Sequence, residues 1–541
     1  MESQRLTSSS MARWRLIACV SLAAAAFAVG VAPSIASAQS HFGPIRSAAS
    51  VRKADIPNRG TVGTAARRAM KQGYLVPNQA RYERQKTRAA RQTSAKDALT
   101  APVNGALAPV NNRAWAGIND TNSAPPDETS AVGTGRYIEL VNSKFAIYNK
   151  TANAPISAGS INSMVGAAGT DSVFDVQIMW DATTNRFYYA ADDVVSNTNN
   201  KIAFGFSKTA TPSSAADWCK FAVSAGSTFP DYPKLGDSQF FLMIGTNLFN
   251  GNNFANANVL AASKPKASDT CATYLSTSKL ANKGLSGGFT PVPASEVDNN
   301  ATGWSVAVPL ATPGNKLQLY KVTKSSTGAP VIGTTPTSVP VSSFAVPPAA
   351  PQKGTAFKID TSDTRNTQAQ AAVDPGHGNN LAIWTQHTVK GGAGAQVRWY
   401  EINPATHSLI QHGTVTSPSL YEFNGAIAPN RQVNGATTSG GEAMLMNFNT
   451  SSTATFPSIK MVSKVGGGAQ SGPVAVFNGT KPLTGFDCTA PAPNPCRWGD
   501  YAAATPDPST KNRIWNVSQY GAGTPSSTFA TSRTWNFIAT P

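Results

Sequence analysis

The chain has 541 residues, 41% of them hydrophobic and 13% charged, which is too apolar for a disordered polymer and long enough for one large core or several. Its formal net charge of +17 invites a nucleic-acid reading. However, residues 1–100 hold 16 of the 45 Lys and Arg and 4 of the 28 Asp and Glu, leaving 29 basic against 24 acidic groups beyond them. The basicity is local, so no domain-wide basic face is expected to track phosphates, and nucleic acid is not an expected partner.

Arg13 and Arg15 precede an apolar run over 16–31, and Ala36-Ser37-Ala38 follows. That is the charged, apolar, small-residue order of a secretory signal, expected to be removed after Ala38. The run is shorter than the roughly 20 residues that cross a bilayer, and no later apolar stretch is long enough. A secreted chain, extracellular or periplasmic and without a transmembrane anchor in its mature form, is therefore expected. Residues 39–105 carry Arg52, Lys53, Arg67, Arg68, Lys71 and Arg91 among Ala and Gln, too few large apolar groups to bury a core. This extension reads as a solvated linker with some helix over 65–96; the functional alternatives are a pro-segment or an electrostatic tether to envelope polymers.

Cysteine usage agrees with export. Cys19 lies in the signal, and the remaining Cys219, Cys271, Cys488 and Cys496 allow three pairings. Locality favours Cys488 with Cys496, across a stiff loop with Pro491, Pro493 and Pro495, and Cys219 with Cys271 then closes a longer loop. The CxxC spacing of a zinc site is missing.

From residue 106 onward short alternating runs are separated by Gly, Asn, Asp, Pro and Ser, the signal of strands and turns. Examples are 136–141, 145–148, 186–190, 202–206, 240–245, 317–322, 381–387, 397–402, 443–448 and 514–520. Polar hairpin loops are expected at 181–186, 403–407 and 507–512. So many strands without a linker-like break form several sandwiches or close radially, and radial closure protects the edges. The expected architecture is all-β: a signal peptide at 1–38, a basic extension at 39–105 and one six- or seven-bladed β-propeller at 106–541.

The stretch Pro125-Pro126-Asp127-Glu128-Thr129-Ser130-Ala131-Val132-Gly133, with Ile138 to Ser143 after it, resembles the opening of a family of secreted bacterial sialidase-like β-propeller proteins. Phe174-Asp175 with Trp180-Asp181, then Phe229-Pro230-Asp231-Tyr232-Pro233-Lys234-Leu235-Gly236, Val397 to Ile402 and Arg497-Trp498-Gly499-Asp500-Tyr501 continue the likeness in order. The resemblance covers about 106–541 and implies the propeller fold. It implies no activity, because the family is largely without one and fold does not dictate chemistry. After Gly236 this chain has Asp237-Ser238 where the family commonly has an aromatic-rich run.

Asp127 and Glu128 follow two prolines that hold the backbone extended, so they present acids rigidly toward a central funnel or else stabilise a turn. Asp231, between Pro230 and Tyr232-Pro233, is a second stiffened acid beside an aromatic. The cluster Arg497-Trp498-Gly499-Asp500-Tyr501 follows Cys496, so a disulfide would fix its loop; an Arg497–Asp500 structural ion pair is the plainer reading. Glu422, flanked by Tyr421 and Phe423, is a candidate raised acid or a loop residue. A glycosidase needs one carboxylic acid and one carboxylate, and Asp127, Asp231 and Asp500 are the candidates. Glu128, Tyr232, Glu422, Arg497, Trp498 and Tyr501 are the candidate substrate contacts. His377, His387, His407 and His412 lack ligand spacing and read as structural, so no catalytic metal and no cofactor are expected; structural Ca²⁺ stays open at oxygen-rich loops such as 119–122. No GxSxG elbow, P-loop or dinucleotide fingerprint occurs in its required context. Two readings follow: a glycosidase-type hydrolase of extracellular polysaccharide, or a noncatalytic carbohydrate-binding or adhesion module. In both, the expected partner is an extracellular polysaccharide or glycoconjugate, and the chain is expected to be monomeric.

Overall fold

Alternation of apolar and polar residues yields seven sheets in the computed structural model, which describes residues 42–48, 75–91, 106–120, 123–488, 495–522 and 531–541; the sheets are antiparallel except where Ser295–Glu296 pairs parallel with the inner strand of the fifth. The expected signal at 1–38 lies outside the described residues. Sheets follow one another along the chain as seven propeller blades. Their innermost strands are Thr129–Val132, Ser172–Asp181, Phe229–Asp237, Gly288–Pro293, Asn366–Asp374, Tyr421–Pro429 and Ala503–Pro506. Blade 7 is completed by Val110–Ala116, which pairs antiparallel with the last strand, Ser532–Thr540. This pairing closes the ring by joining the two ends of the propeller sequence, and it leaves no open sheet between first and last blade.

The core is divided among the blade interfaces instead of forming one mass. Ile138, Leu140 and Ile147 of blade 1 meet Phe187 and Tyr189 of blade 2; Phe204, Phe221 and Val223 of blade 2 meet Ile244 and Leu260 of blade 3. Trp384 and Trp399 of blade 5 stack at 5.9 Å between ring centres and pack with Met444 and Met446 of blade 6. At the closure, Trp115 and Trp515 of blade 7 meet Tyr137 and Tyr148 of blade 1. Each buried large side chain contributes about 1.5–3 kcal/mol by leaving water, so the closing interface alone holds four aromatic anchors that resist opening.

Two findings depart from the sequence reading. The described parts of the extension are not a solvated linker: Phe42 is buried between blades 2 and 3, Arg46–Ser47 pairs with the outer strand of blade 2, and Val76 is buried with residues of blades 4 and 5. Of the helix expected over 65–96, Gln79–Arg91 is helical, and 65–74 and 92–96 lie outside the described residues. Second, a connection over 345–365 leaves blade 4 and visits blades 6 and 7 before blade 5 begins. Ser451 Oγ donates to the Pro351 carbonyl at 2.6 Å, and Ile359 bridges Cys496. Both cysteine pairs expected from locality lie at disulfide distance, with Cα atoms 5.2 Å apart for Cys219–Cys271 and 4.6 Å for Cys488–Cys496.

Candidate functional site

The innermost strands share a local device. Asp127, Asp175, Tyr232, Thr290 and Asn424 all have φ between 51° and 59°, and four of these five sit where the pairing of an inner strand slips. A left-handed residue at a bulge turns its side chain out of the ladder, toward the end of the propeller axis. Asp and Asn tolerate that conformation; Tyr and Thr do so at a cost of order 1–3 kcal/mol, which surrounding structure must offset. The offset is visible in bonds from the preceding blade. Asn142 Oδ1 accepts the Asp175 N–H at 2.8 Å, Asn247 Oδ1 accepts that of Thr290 at 2.8 Å, and Thr388 Oγ1 accepts that of Asn424 at 3.1 Å.

These bulges and the loop before blade 7 bring acids from distant parts of the chain to one mouth. The Asp500 N–H donates to Asp127 Oδ1 at 2.7 Å across 373 residues of sequence, and Asn142 Nδ2 donates to Asp127 Oδ2 at 2.7 Å. Asp175 faces Asp127 within hydrogen-bond reach and feels the charges of Asp231 and Asp500. Asp127, Asp231 and Asp500 therefore share one mouth. Burial, then the neighbouring Asp175, pushes Asp127 up to about 7. Burial also raises Asp500 to about 7, against Arg497, whose Nη2 lies 2.6 Å from Asp500 Oδ1. Burial raises Asp231 and Asp175 as well; Arg365 opposes the rise at Asp231, and Asp231 adds to it at Asp175.

Cations and rings line the same mouth. Arg365 is fully buried, forked onto Asp363 by two bonds of 2.9 Å and placed 4.5 Å from the centre of the Tyr232 ring. Lys234 is buried with its Nζ 3.2 Å from the Tyr501 ring centre, and burial lowers its pKa well below the usual lysine value. The Tyr232 hydroxyl donates to the Asp500 carbonyl at 3.0 Å, and that of Tyr501 to the Val176 carbonyl at 2.9 Å. Trp498 donates to Asn449 Oδ1 at 3.0 Å and packs edge-on against Phe423. Trp498 and Tyr501 are 2% and 1% exposed, so both belong to the floor. Glu128 is buried beside Gly499, where a side chain would press on its carboxylate; burial and then Asp127 raise its pKa. Glu422 lies in strand Tyr421–Pro429 and not on a loop. Burial raises it to about 8, and its charged influence comes from Lys460, away from the mouth acids.

Sequence reading did not single out Asp175 as a site residue, and it missed Lys234, Arg365, Asp360 and Asp363. A signal for Asp175 exists in the recurrence of an aromatic followed by a short polar residue at the bulge, as in Phe174-Asp175, Phe289-Thr290 and Phe423-Asn424. Arg365 and its partner Asp363 arrive on the 345–365 connection, which carries no such rhythm.

The mouth is roofed by the extension. Arg365 Nη2 donates to the Leu75 carbonyl at 3.0 Å; Lys86 Nζ donates to the Ser362 carbonyl at 2.6 Å and pairs with Asp360 at 3.4 Å. Tyr82 feels Asp360, Asp363, Arg365 and Arg497. The void left beside Asp360, Trp498 and Asp500 is about 10 Å³, and the axial channel below holds about 50 Å³, room for a water or two. A groove of about 910 Å³ over blade 1 reaches Asn142, which holds both Asp127 and Asp175.

No protein-family model matches this chain, and no curated protein matches it. Solved structures are similar to it only at very low identity. An exo-beta-1,3-galactanase from Clostridium thermocellum is 10% identical over 79% of this chain and 99% of its own, with a TM-score of 0.29. The Trypanosoma rangeli sialidase is 9% identical over 69% and 60%, TM-score 0.33, and the Synechocystis apocarotenoid oxygenase 8% over 62% and 68%, TM-score 0.35. The functional reading rests on this chain's own residues.

Proposed function

We propose that the protein is a glycan-directed hydrolase of the extracellular space, related to the sialidase-like propellers, that cleaves a glycosidic bond with paired carboxyl groups at the propeller mouth. The observation that carries the reading is the convergence of Asp127, Asp175, Asp231 and Asp500 at one buried mouth, with Arg365 and Arg497 interleaved among them. Such a site divides labour between acids. Burial raises both Asp500 and Asp231 to about 7; at Asp500 the rise is opposed by Arg497, 2.6 Å away, and at Asp231 by Arg365. We assign Asp500, ion-paired directly to Arg497, as nucleophile or base, and Asp231 as the acid that protonates the leaving oxygen. Asp127 and Asp175, likewise raised by burial, lie beside them, and Asn142 fixes both. The segment 75–91 acts as a pro-segment, because the roofed void of about 10 Å³ admits no sugar ring.

The test is reducing-end release from a polysaccharide panel by the exported chain, before and after limited trypsin treatment. Turnover that appears after cleavage and falls by about 10²–10⁴-fold in Asp500→Asn, with its circular dichroism unchanged, supports the hydrolase. Retention on a polysaccharide with no turnover in either form replaces it with a binding module.

A further inference from the structure

At the opposite end of the blade 5 inner strand from Arg365 lies a second cluster that the hydrolase reading does not use. Strand Asn366–Asp374 ends in Asp374, whose Oδ1 accepts the Gly376 N–H at 2.7 Å and so folds the turn Pro375–His377 back on itself. That turn sets His377 Nδ1 against Asp374 Oδ2. Glu401, from strand Gly394–Asn403 of the same blade, points into the same place. One donor atom from each of Asp374, His377 and Glu401 lies within 4.8 Å of the other two.

Glu401 supplies the independent observation. It is fully buried; its Oε2 accepts from Gln411 Nε2 at 2.5 Å, whereas its Oε1 is buried with no N–H or hydroxyl donor among the described residues and the carboxyl lies within hydrogen-bond reach of that of Asp374. A buried acceptor without a donor is costly, more so when charged, and a second carboxylate beside it raises that cost. Lys464, the ammonium on which both carboxylates act, is turned to the Gly466 carbonyl at 2.7 Å. We propose that Asp374, His377 and Glu401 bind one divalent transition-metal ion, of which Zn²⁺ fits best, with the fourth position open to solvent.

The donor set selects the metal. One imidazole nitrogen and two carboxylate oxygens suit Zn²⁺ at about 2.0–2.2 Å per ligand, whereas Ca²⁺ takes six to eight oxygens at about 2.3–2.6 Å. Among zinc and the weaker divalent ions of its row, such a site binds zinc more tightly than manganese or iron. His377 has a side chain 36% exposed while Asp374 and Glu401 are buried, so the ion enters from the surface turn and finds a prearranged carboxylate floor. Gln411 orients Glu401 from behind, as an outer partner does in metal sites. The bound ion ties the end of the inner strand to the third strand of blade 5.

Isothermal titration of the EDTA-stripped full chain with Zn²⁺ tests this, with the visible absorption of bound Co²⁺ as a second readout. One equivalent is expected, and at least a tenfold loss of affinity in His377→Asn and in Glu401→Gln. His377 sits on a surface turn, so its variant folds even if the buried Glu401→Gln does not. His407→Asn, in the turn between strands Gly394–Asn403 and Ser408–Val415 and outside the three-residue cluster, keeps full affinity. Absence of binding to the folded parent, or binding unchanged in His377→Asn, overturns the site.

Discussion

Replacing Asp127 with Asn tests the electrostatics of the mouth without any knowledge of substrate. Asp127 has a carboxyl raised from 3.8 to about 7 by burial and then by Asp175. Between about pH 4 and 7 the folded protein holds this proton while the unfolded chain has released it. Stability from this group is therefore full below pH 4 and is lost as pH rises through 7. At 1.36 kcal/mol for each of about three pH units, the loss is ~4 kcal/mol for Asp127 treated alone. Asparagine keeps an oxygen for the Asp500 N–H, 2.7 Å away, but turns an amide against Asn142 Nδ2, also 2.7 Å away. That exchange costs about 1–3 kcal/mol at every pH. Urea denaturation of parent and variant, disulfides intact, at pH 4.5 and 8.5 separates the two effects. The variant is expected to be the weaker at pH 4.5 and to lose ~2–4 kcal/mol less than the parent on going to pH 8.5. Equal losses in the two proteins would refute the claim that the fold raises the Asp127 carboxyl to about 7.

Asn142→Ala removes the bonds to both Asp127 and the Asp175 N–H; a loss of about 2–4 kcal/mol in urea stability is expected, with hydrolysis, once observed, falling in kcat more than in KM. Lys86→Ala removes the cation that, against the upward push of burial, does most to hold Asp360 below the usual carboxylate range. The segment 75–91 is then expected to be cut faster by trypsin at Arg88 or Arg91, seen by mass spectrometry, and an unchanged cutting rate would count against the roof. The cysteine pairs close intervals of 52 and 8 residues. Chain entropy assigns about 4 kcal/mol to the first and ~2.5 to the second, so Cys219→Ala with Cys271→Ala should lower the urea midpoint more than Cys488→Ala with Cys496→Ala.

Much of the fold was legible because strands and turns are local. The alternating run 136–141 became strand Arg136–Val141, and the polar loop at 181–186 became the hairpin between Ser172–Asp181 and Arg186–Ser196. Asp127, Asp231 and Asp500 drew attention because prolines or a cysteine stiffen their surroundings. Arg365 drew none, since nothing around Asp363-Thr364-Arg365 distinguishes an arginine bound for the mouth from one bound for solvent. The docking of 75–91 was equally hidden. A basic, Ala-rich stretch looks solvated until a surface carrying Asp360, Thr361 and the Ser362 carbonyl is placed opposite Lys86.

By itself the sequence determined the secondary-structure rhythm, the all-β class, an even set of four cysteines with a favoured local pairing, and which acids were conformationally restrained, for each depends on neighbours within a few residues or on parity and spacing. Only the tertiary structure decided the seven-fold count, the closure of Val110–Ala116 on Ser532–Thr540 and the meeting of Asp127 with Asp500. A closed ring makes positions hundreds of residues apart adjacent. The pKa of each acid is then set by burial and by charges that arrive from other blades, and local sequence carries no record of either.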